Sequence, residues 1–124
     1  MARTLEYLNA FQNYCREREI DFVLLVIPRS IQVNPAELAE WQAAFQISDQ
    51  ELDLDHPQKI LREWAERRGA RMLDLLPAFR SYLAGHPDRR LYYYPDAHFN
   101  VDGHKLVSEL LAGYLARQGL PRQP

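Results

Sequence analysis

The segment DFVLLVIP (residues 21–28) is a continuous apolar run, rich in β-branched and aromatic side chains, that ends at a proline. It is too short for a helix of its own, and such runs are typical of strands buried on both faces of a parallel sheet. We therefore predict a buried strand over residues 22–27. ARMLDLLP (residues 70–77) predicts a second strand and RLYYY (residues 90–94) a third.

Helical patterns surround these strands. Over residues 4–18, apolar side chains recur at spacings of one, three and four, which predicts an amphipathic helix. Further helices are predicted over residues 34–45, 58–68, 78–84 and 101–117, and residues 119–124 are expected to form a tail. Asn34 and Asn100 are the expected N-caps, Pro35 fits a first helical turn, and Gly69 is the expected C-terminal cap.

The order of these elements predicts parallel strands joined by right-handed crossovers, in a single α/β domain over residues 1–124. Only three strands are predicted, whereas sheets of such folds usually have about five or six. We therefore expect an incomplete sheet with an exposed edge. Such an edge favours self-association, so we predict a homo-oligomer.

The composition is that of an ordinary folded domain. Apolar side chains make up 47% of the 124 residues and charged ones 26%, which excludes a disordered or fibrous chain. The net charge of −2, with both signs interspersed, argues against a strongly basic nucleic-acid-binding surface. No apolar run approaches the roughly 20 residues that span a bilayer, and the N-terminus lacks a signal-peptide core. Cys15 is alone, so no intramolecular disulfide is expected.

Asp96 and His98 stand two residues apart in DAHFNVDGHKL (residues 96–106), before the last predicted helix. Their loop is expected at the carboxyl end of the sheet, where α/β proteins bind ligands. A carboxylate that accepts from one imidazole nitrogen leaves the other nitrogen as a general base. The same spacing is typical of turn residues beside a helix start, so the residues alone leave both interpretations open.

This block resembles the last conserved block of the SGNH (GDSL-like) hydrolase superfamily, in the Asp-x-His branch that includes alginate O-acetyltransferase-like proteins. In that family an Asp and a His complete a Ser-His-Asp triad, followed by an aromatic residue, Asn and a Gly-His pair. The resemblance covers residues 20–117 and is strongest over residues 91–115. It implies a flavodoxin-like three-layer α/β sandwich with a mostly parallel sheet, and Ser-dependent hydrolysis or transfer of acyl esters.

Carried over by position, the resemblance implies that His98 acts as the base and that Asp96 orients it. The residues implied to shape the loop and helix entry, or to contact the substrate, are Tyr94, Asn100, Gly103 and His104. An acyl ester or an O-acylated glycan is the substrate that this resemblance implies. No cofactor is implied.

The nucleophile block of the family is missing from this sequence, which contains no Gly-Asp-Ser. The serines are Ser30, Ser48, Ser81 and Ser108, and none lies in a Gly-x-Ser-x-Gly elbow. Ser30 alone follows a predicted strand, so it is the candidate nucleophile, although a loop or cap role is favoured. We therefore expect the chain to be the C-terminal part of a longer SGNH-like domain and to be inactive alone.

Two other interpretations compete with acyl chemistry. Asp53, Asp55 and His56 cluster before a predicted helix and would form a metal site only if the fold added a histidine such as His86, His98 or His104. We favour ordinary helix-start chemistry there and predict no metal. The alternative function is a noncatalytic α/β binding or assembly module.

Overall fold

A computed structural model describes residues 1–120, which form an α/β fold with a small parallel sheet. In chain order the elements are α1 (Ala2–Glu17), β1 (Val23–Val26), a 3-10 helix (Ser30–Gln32), α2 (Pro35–Phe45), a 3-10 helix (Asp49–Glu51), α3 (His56–Arg68), β2 (Arg71–Asp74), α4 (Leu76–Gly85) and α5 (Val101–Arg117). Of the predicted tail, residues 121–124 lie outside the described residues.

The sheet consists of β1 and β2, which run parallel with Val23 opposite Arg71 and Val26 opposite Asp74. The predicted parallel pairing is confirmed. The prediction that β1 is buried on both faces is wrong, because only Val26 of its residues is buried and Ile27 beyond it is exposed. Among the described residues, each strand has a strand partner on one side only.

The prediction of a third strand over RLYYY (residues 90–94) is wrong. Tyr92 instead makes an isolated antiparallel bridge with Phe99, and the Tyr93 N–H donates to the His98 carbonyl at 3.0 Å. Alternating tyrosines suit a sheet strand or one arm of a short reversal equally well. Here the backbone groups that follow the reversal supply the hydrogen bonds that a neighbouring strand would otherwise provide.

The second strand is shorter than predicted, and α4 begins two residues earlier, at Leu76 rather than Ala78. The Asp74 carboxylate accepts from the Leu76 N–H at 3.0 Å, which satisfies one of the free donors of the first helical turn. Pro77 therefore lies in that turn, where its missing N–H costs nothing.

The predicted caps are confirmed. Asn34 accepts from the Ala36 and Glu37 N–H groups at 3.1 and 3.4 Å at the start of α2, directly before Pro35. Gly69 follows α3 with a φ of +58°, the left-handed conformation that glycine adopts most easily. The last helix, α5, has the predicted bounds.

The core lies around α4 and the segment that follows it. Its buried members are Val33, Leu75, Leu76, Phe79, Leu91 and Tyr92, and half-buried side chains of β1, β2 and α5 pack against them. Phe79 and Leu75 have no exposed surface. This cluster positions the loop that enters α5.

A second packing region joins α1 to α3. The Phe22 ring lies edge-on to both Phe11 and Trp64, and the Trp64 indole N–H donates to Asn9 at 2.9 Å. The Gln12 side chain is buried and exchanges hydrogen bonds with Arg68. Polar contacts therefore hold α1 in place, while much of its aromatic surface is exposed. Across residues 1–120, no helix combines the length and apolarity of a membrane span.

Candidate functional site

The loop over residues 93–99 is joined to α5 by Asn100. The Asn100 side chain accepts from the Gly103 N–H at 2.9 Å, as the predicted N-cap, and donates to the Arg90 carbonyl at 2.7 Å. The Asn100 N–H donates to the Leu91 carbonyl at 3.1 Å. One residue therefore fixes both the start of the helix and the chain that enters the loop.

Gly103 lies where α5 comes closest to that chain. A Cβ atom at this position would lie 2.1 Å from the Leu91 carbonyl oxygen and 3.1 Å from the Phe99 ring. The first distance is far inside van der Waals contact, so only a residue without a side chain permits this approach. The role expected for Gly103 at the helix entry thus has a steric cause.

Tyr92 anchors the base of the loop beyond the carboxyl end of β1. Its buried hydroxyl donates to the Pro28 carbonyl, two residues after the strand. Burial raises the pKa of the Tyr92 hydroxyl, as does the negative charge of Glu37, so the group remains a neutral donor at ordinary pH. The loop therefore stands at the end of the sheet that the sequence predicts.

Tyr94 ties the outer part of the loop to α2. Its hydroxyl donates to Glu40 Oε2 at 2.6 Å, and the Arg90 guanidinium lies 5.0 Å from its ring centroid. The hydrogen bond to Glu40 raises the pKa of Tyr94. These contacts connect the loop to α2, and the peptide bond between Tyr94 and Pro95 is cis.

Asp96 and His98 form a hydrogen-bonded pair. Asp96 Oδ1 accepts from the His98 backbone N–H at 2.8 Å and also contacts Nδ1 of the ring. The hydrogen bond with the His98 ring lowers the pKa of the Asp96 carboxyl most, and the bond from the His98 backbone N–H lowers it further. An ionised carboxylate at Nδ1 favours the tautomer with its proton on that nitrogen, which leaves Nε2 free to accept a proton.

This pair lies on the surface and not in a cleft. The His98 side chain is 86% exposed and that of Asp96 is 55% exposed. A cavity of about 630 Å³ between the start of α2 and the end of α4 is lined by neither residue. The arrangement supplies an oriented base that meets solvent directly, and the loop itself excludes no water from it.

Ser30 does not meet this pair. It opens the 3-10 helix after β1, and its carbonyl accepts from the Val33 and Asn34 N–H groups. No hydrogen bond among residues 1–120 joins it to His98, so the structure brings together Asp96 and His98 but not the candidate nucleophile Ser30. His104 is exposed on α5 with its ring edge-on to Phe99.

The residues of the alternative metal site are engaged in ion pairs. Asp53 contacts Lys59 at 2.9 Å, and Asp55 accepts two hydrogen bonds from Arg80 at 2.7 and 3.1 Å. Nδ1 of His86 lies 2.8 Å from the Tyr82 carbonyl. Across residues 1–120, no three histidine, cysteine or acidic side chains gather as ligands would.

The contacts of Glu37 and Glu40 with the segment 90–94 were not predicted from the sequence. Arg90 lies 3.9 Å from Glu37, and Tyr94 bonds to Glu40. Their spacing of three places both carboxylates on one helix face, which is the one signal that marks this side of α2 as polar. It does not identify their partners about 50 residues away.

The comparisons with known proteins return no match: neither a family model, nor a curated protein, nor a solved structure is similar to this chain.

Proposed function

We propose that Asp96 and His98 are the acid–base half of an SGNH-type site for hydrolysis or transfer of acyl esters. His98 is the general base, Asp96 holds its tautomer, and the hydroxyl nucleophile is not one of the serines of this chain. In this proposal the two-stranded sheet is part of a larger three-layer sandwich, and the substrate is an acyl ester such as an O-acylated glycan.

The observation that carries this proposal is the double contact of one Asp96 oxygen with the backbone and the ring of His98. A cap or turn residue needs only the backbone contact. The contact with Nδ1 goes further, since it orients the ring with Nε2 toward solvent, as a general base requires. The residue order of the Asp-x-His block supports the same reading.

Without its nucleophile the chain is expected to be inactive on ordinary esters, so the test is hydrolysis of p-nitrophenyl acetate, an activated ester that an accessible imidazole attacks directly. We expect His98→Ala to remove most of the protein-dependent rate and Asp96→Asn to reduce it several-fold, because the carboxylate supports positive charge on the ring. His86→Ala is the matched control, since His86 is also exposed and its ring contacts the Tyr82 ring and carbonyl in place of a carboxylate. Equal rates for the two alanine variants would overturn the proposal.

Intact mass after treatment with a fluorophosphonate probe tests the nucleophile separately. We expect no adduct on the folded chain. A single adduct that is lost in His98→Ala would place the nucleophile on a serine of this chain, with Ser30 the first candidate, and would replace the proposed half-site by a complete triad.

A noncatalytic binding or assembly role is the second candidate. It is favoured by the aromatic side chains of α1 that stay exposed, Tyr7, Phe11 and Tyr14. Exposed apolar patches of this kind often mark protein contacts. Loss of self-association in an α1 variant, together with unchanged ester hydrolysis, would support this role over the catalytic one.

A further inference from the structure

A cavity of about 630 Å³ lies between the start of α2, the end of α4 and the chain that leads into the 93–99 loop. Its volume falls in the range of small-molecule sites, roughly 300–1,000 Å³. Four leucines supply much of its apolar wall: Leu38, Leu54, Leu83 and Leu91. The cavity is distinct from the Asp96–His98 pair, which does not line it.

Two groups of opposite charge lie side by side on the wall of this cavity. The Glu37 carboxylate and the Arg90 guanidinium both line it, and their nearest atoms are 3.9 Å apart, beyond hydrogen-bond distance. The Glu37 side chain is only 13% exposed. A ligand group that contacts this pair would therefore meet a strong acceptor and a strong donor next to each other.

Both groups keep hydrogen-bonding capacity. Glu37 Oε1 accepts from the Asn34 side chain at 2.9 Å, whereas Oε2 has no hydrogen-bond partner among residues 1–120. The Arg90 guanidinium makes no hydrogen bond within the same residues, although its five N–H groups are all donors. The other arginines of the wall differ, because Arg80 is held by Asp55 and Arg89 by Asp102.

We propose that this cavity binds an uncharged molecule with an apolar body and a hydroxyl group. The hydroxyl donates to Glu37 and accepts from Arg90, which no simple cation or anion does, and the body lies among the leucines. Because Glu37 and Arg90 already compensate each other, a carboxylate or an ammonium group would add an uncompensated charge to the apolar wall, whereas a hydroxyl group adds none. The site stands independently of the chemistry proposed for His98.

The test compares three probes with the same six-carbon body: hexan-1-ol, hexanoate and hexylammonium. Binding is followed by saturable shifts of backbone amide signals in titrations of the whole chain. We expect hexan-1-ol to shift Leu83 and Leu91 and to bind roughly tenfold more tightly than either ion, because each ion brings an uncompensated charge to the apolar wall. Ala84→Trp, which adds bulk to an exposed residue of the wall, should abolish these shifts without unfolding the chain.

Charge variants supply the readout that a purely structural role would not move. Glu37→Gln should raise the affinity for hexanoate, and Arg90→Gln should raise the affinity for hexylammonium, because each removes the repulsive partner. Glu63→Gln is the matched control, since Glu63 faces Arg67 at a similar 3.8 Å on exposed α3. Either ion binding as tightly as the alcohol, or unchanged selectivity in both variants, would overturn the proposal, as would shifts confined to α1.

Discussion

The core around α4 and the outer face of α1 contain similar side chains in opposite environments. Phe79 in the core is 0% exposed, whereas Tyr7 on α1 is 67% exposed and Phe11 is 59% exposed. The backbone of the core is also tied down, by the Asn100 cap and the close approach of Gly103. The buried aromatic ring of the core therefore stabilises this fold, in a region whose backbone is fixed by further contacts. The exposed aromatic rings of α1 contribute little to stability.

The largest difference between the two regions is expected from truncating their aromatic rings. Phe79→Ala should lower the free energy of unfolding by about 3–5 kcal/mol, because the removed ring is fully buried and leaves a cavity. Tyr7→Ala is the control and should stay within about 0.5 kcal/mol. Urea unfolding measures both, and equal losses would show that the exposed face of α1 is covered in solution.

The next largest effect is expected for Gly103→Ala, which should lower the free energy of unfolding by about 1–3 kcal/mol through overpacking. The new methyl group would meet the Leu91 carbonyl, which is backbone and unable to move aside cheaply. Gly113→Ala in the same helix is the matched control, since its Cβ would meet only the flexible end of Arg117 at 3.3 Å. That control should be neutral or stabilising by up to about 1 kcal/mol, as alanine favours a helix. A similar loss at both positions would contradict the steric role of Gly103.

Asn100→Ala should lower the free energy of unfolding by about 1–2 kcal/mol, which is the upper end of the range for a lost N-cap. Asn34→Ala removes the cap of α2 and should cost less, because Asn100 also bonds to the Arg90 carbonyl while Asn34 bonds mainly within its own first turn. Thermal unfolding of the two variants gives the order. A larger loss of stability in Asn34→Ala would contradict this order, because it would show that the start of α2 stabilises the protein more than the start of α5.

Acid should weaken the contact between α3 and α4. Hydrogen bonds from Arg80 lower the pKa of Asp55 in the folded protein, so its stabilising contribution is present above the unfolded pKa of about 4 and is lost as the pH falls through the folded value. Asp55→Asn should reduce the fall in melting temperature between neutral and acidic pH. The effect is small because both side chains are partly exposed. An unchanged pH dependence in the variant would assign the acid sensitivity to other carboxylates.

The smallest effect on stability, and a distinct effect on assembly, is expected from Tyr7→Ser. The free energy of unfolding should change by less than about 0.5 kcal/mol. If the predicted self-association uses the exposed face of α1, sedimentation velocity should show a weaker dimer in the variant. An identical dimer would direct attention to the free edges of β1 and β2, which the sequence predicts as the contact.

The features of this fold that could be predicted are those that depend on local sequence signals. The bounds of α5, the Asn34 and Asn100 caps and the Gly69 ending all follow from side chains that act within one turn. The fate of RLYYY was not predictable, because its alternation fits both a strand and a reversal. The half-buried state of β1 was missed for a related reason, since burial depends on what covers a strand.

In the candidate site, too, contacts between neighbouring residues could be predicted and contacts between distant residues could not. The Asp96–His98 contact spans two residues, so the spacing allows it, although the same spacing also fits a turn. The Tyr94–Glu40 contact and the Glu37–Arg90 pair join positions that are far apart in the chain, and only the fold brings them together. The cavity that Glu37 and Arg90 line has no local signature in the sequence for the same reason.

The parallel pairing of β1 and β2 has a consequence for the order of folding events. Val23 pairs with Arg71, about 50 residues later, and α2 and α3 lie entirely within that interval. The entropy of closing so long a loop is lost before any strand contact repays it. During synthesis, β1 therefore remains without a strand partner until β2 has left the ribosome, and α1, α2 and α3 can form before then.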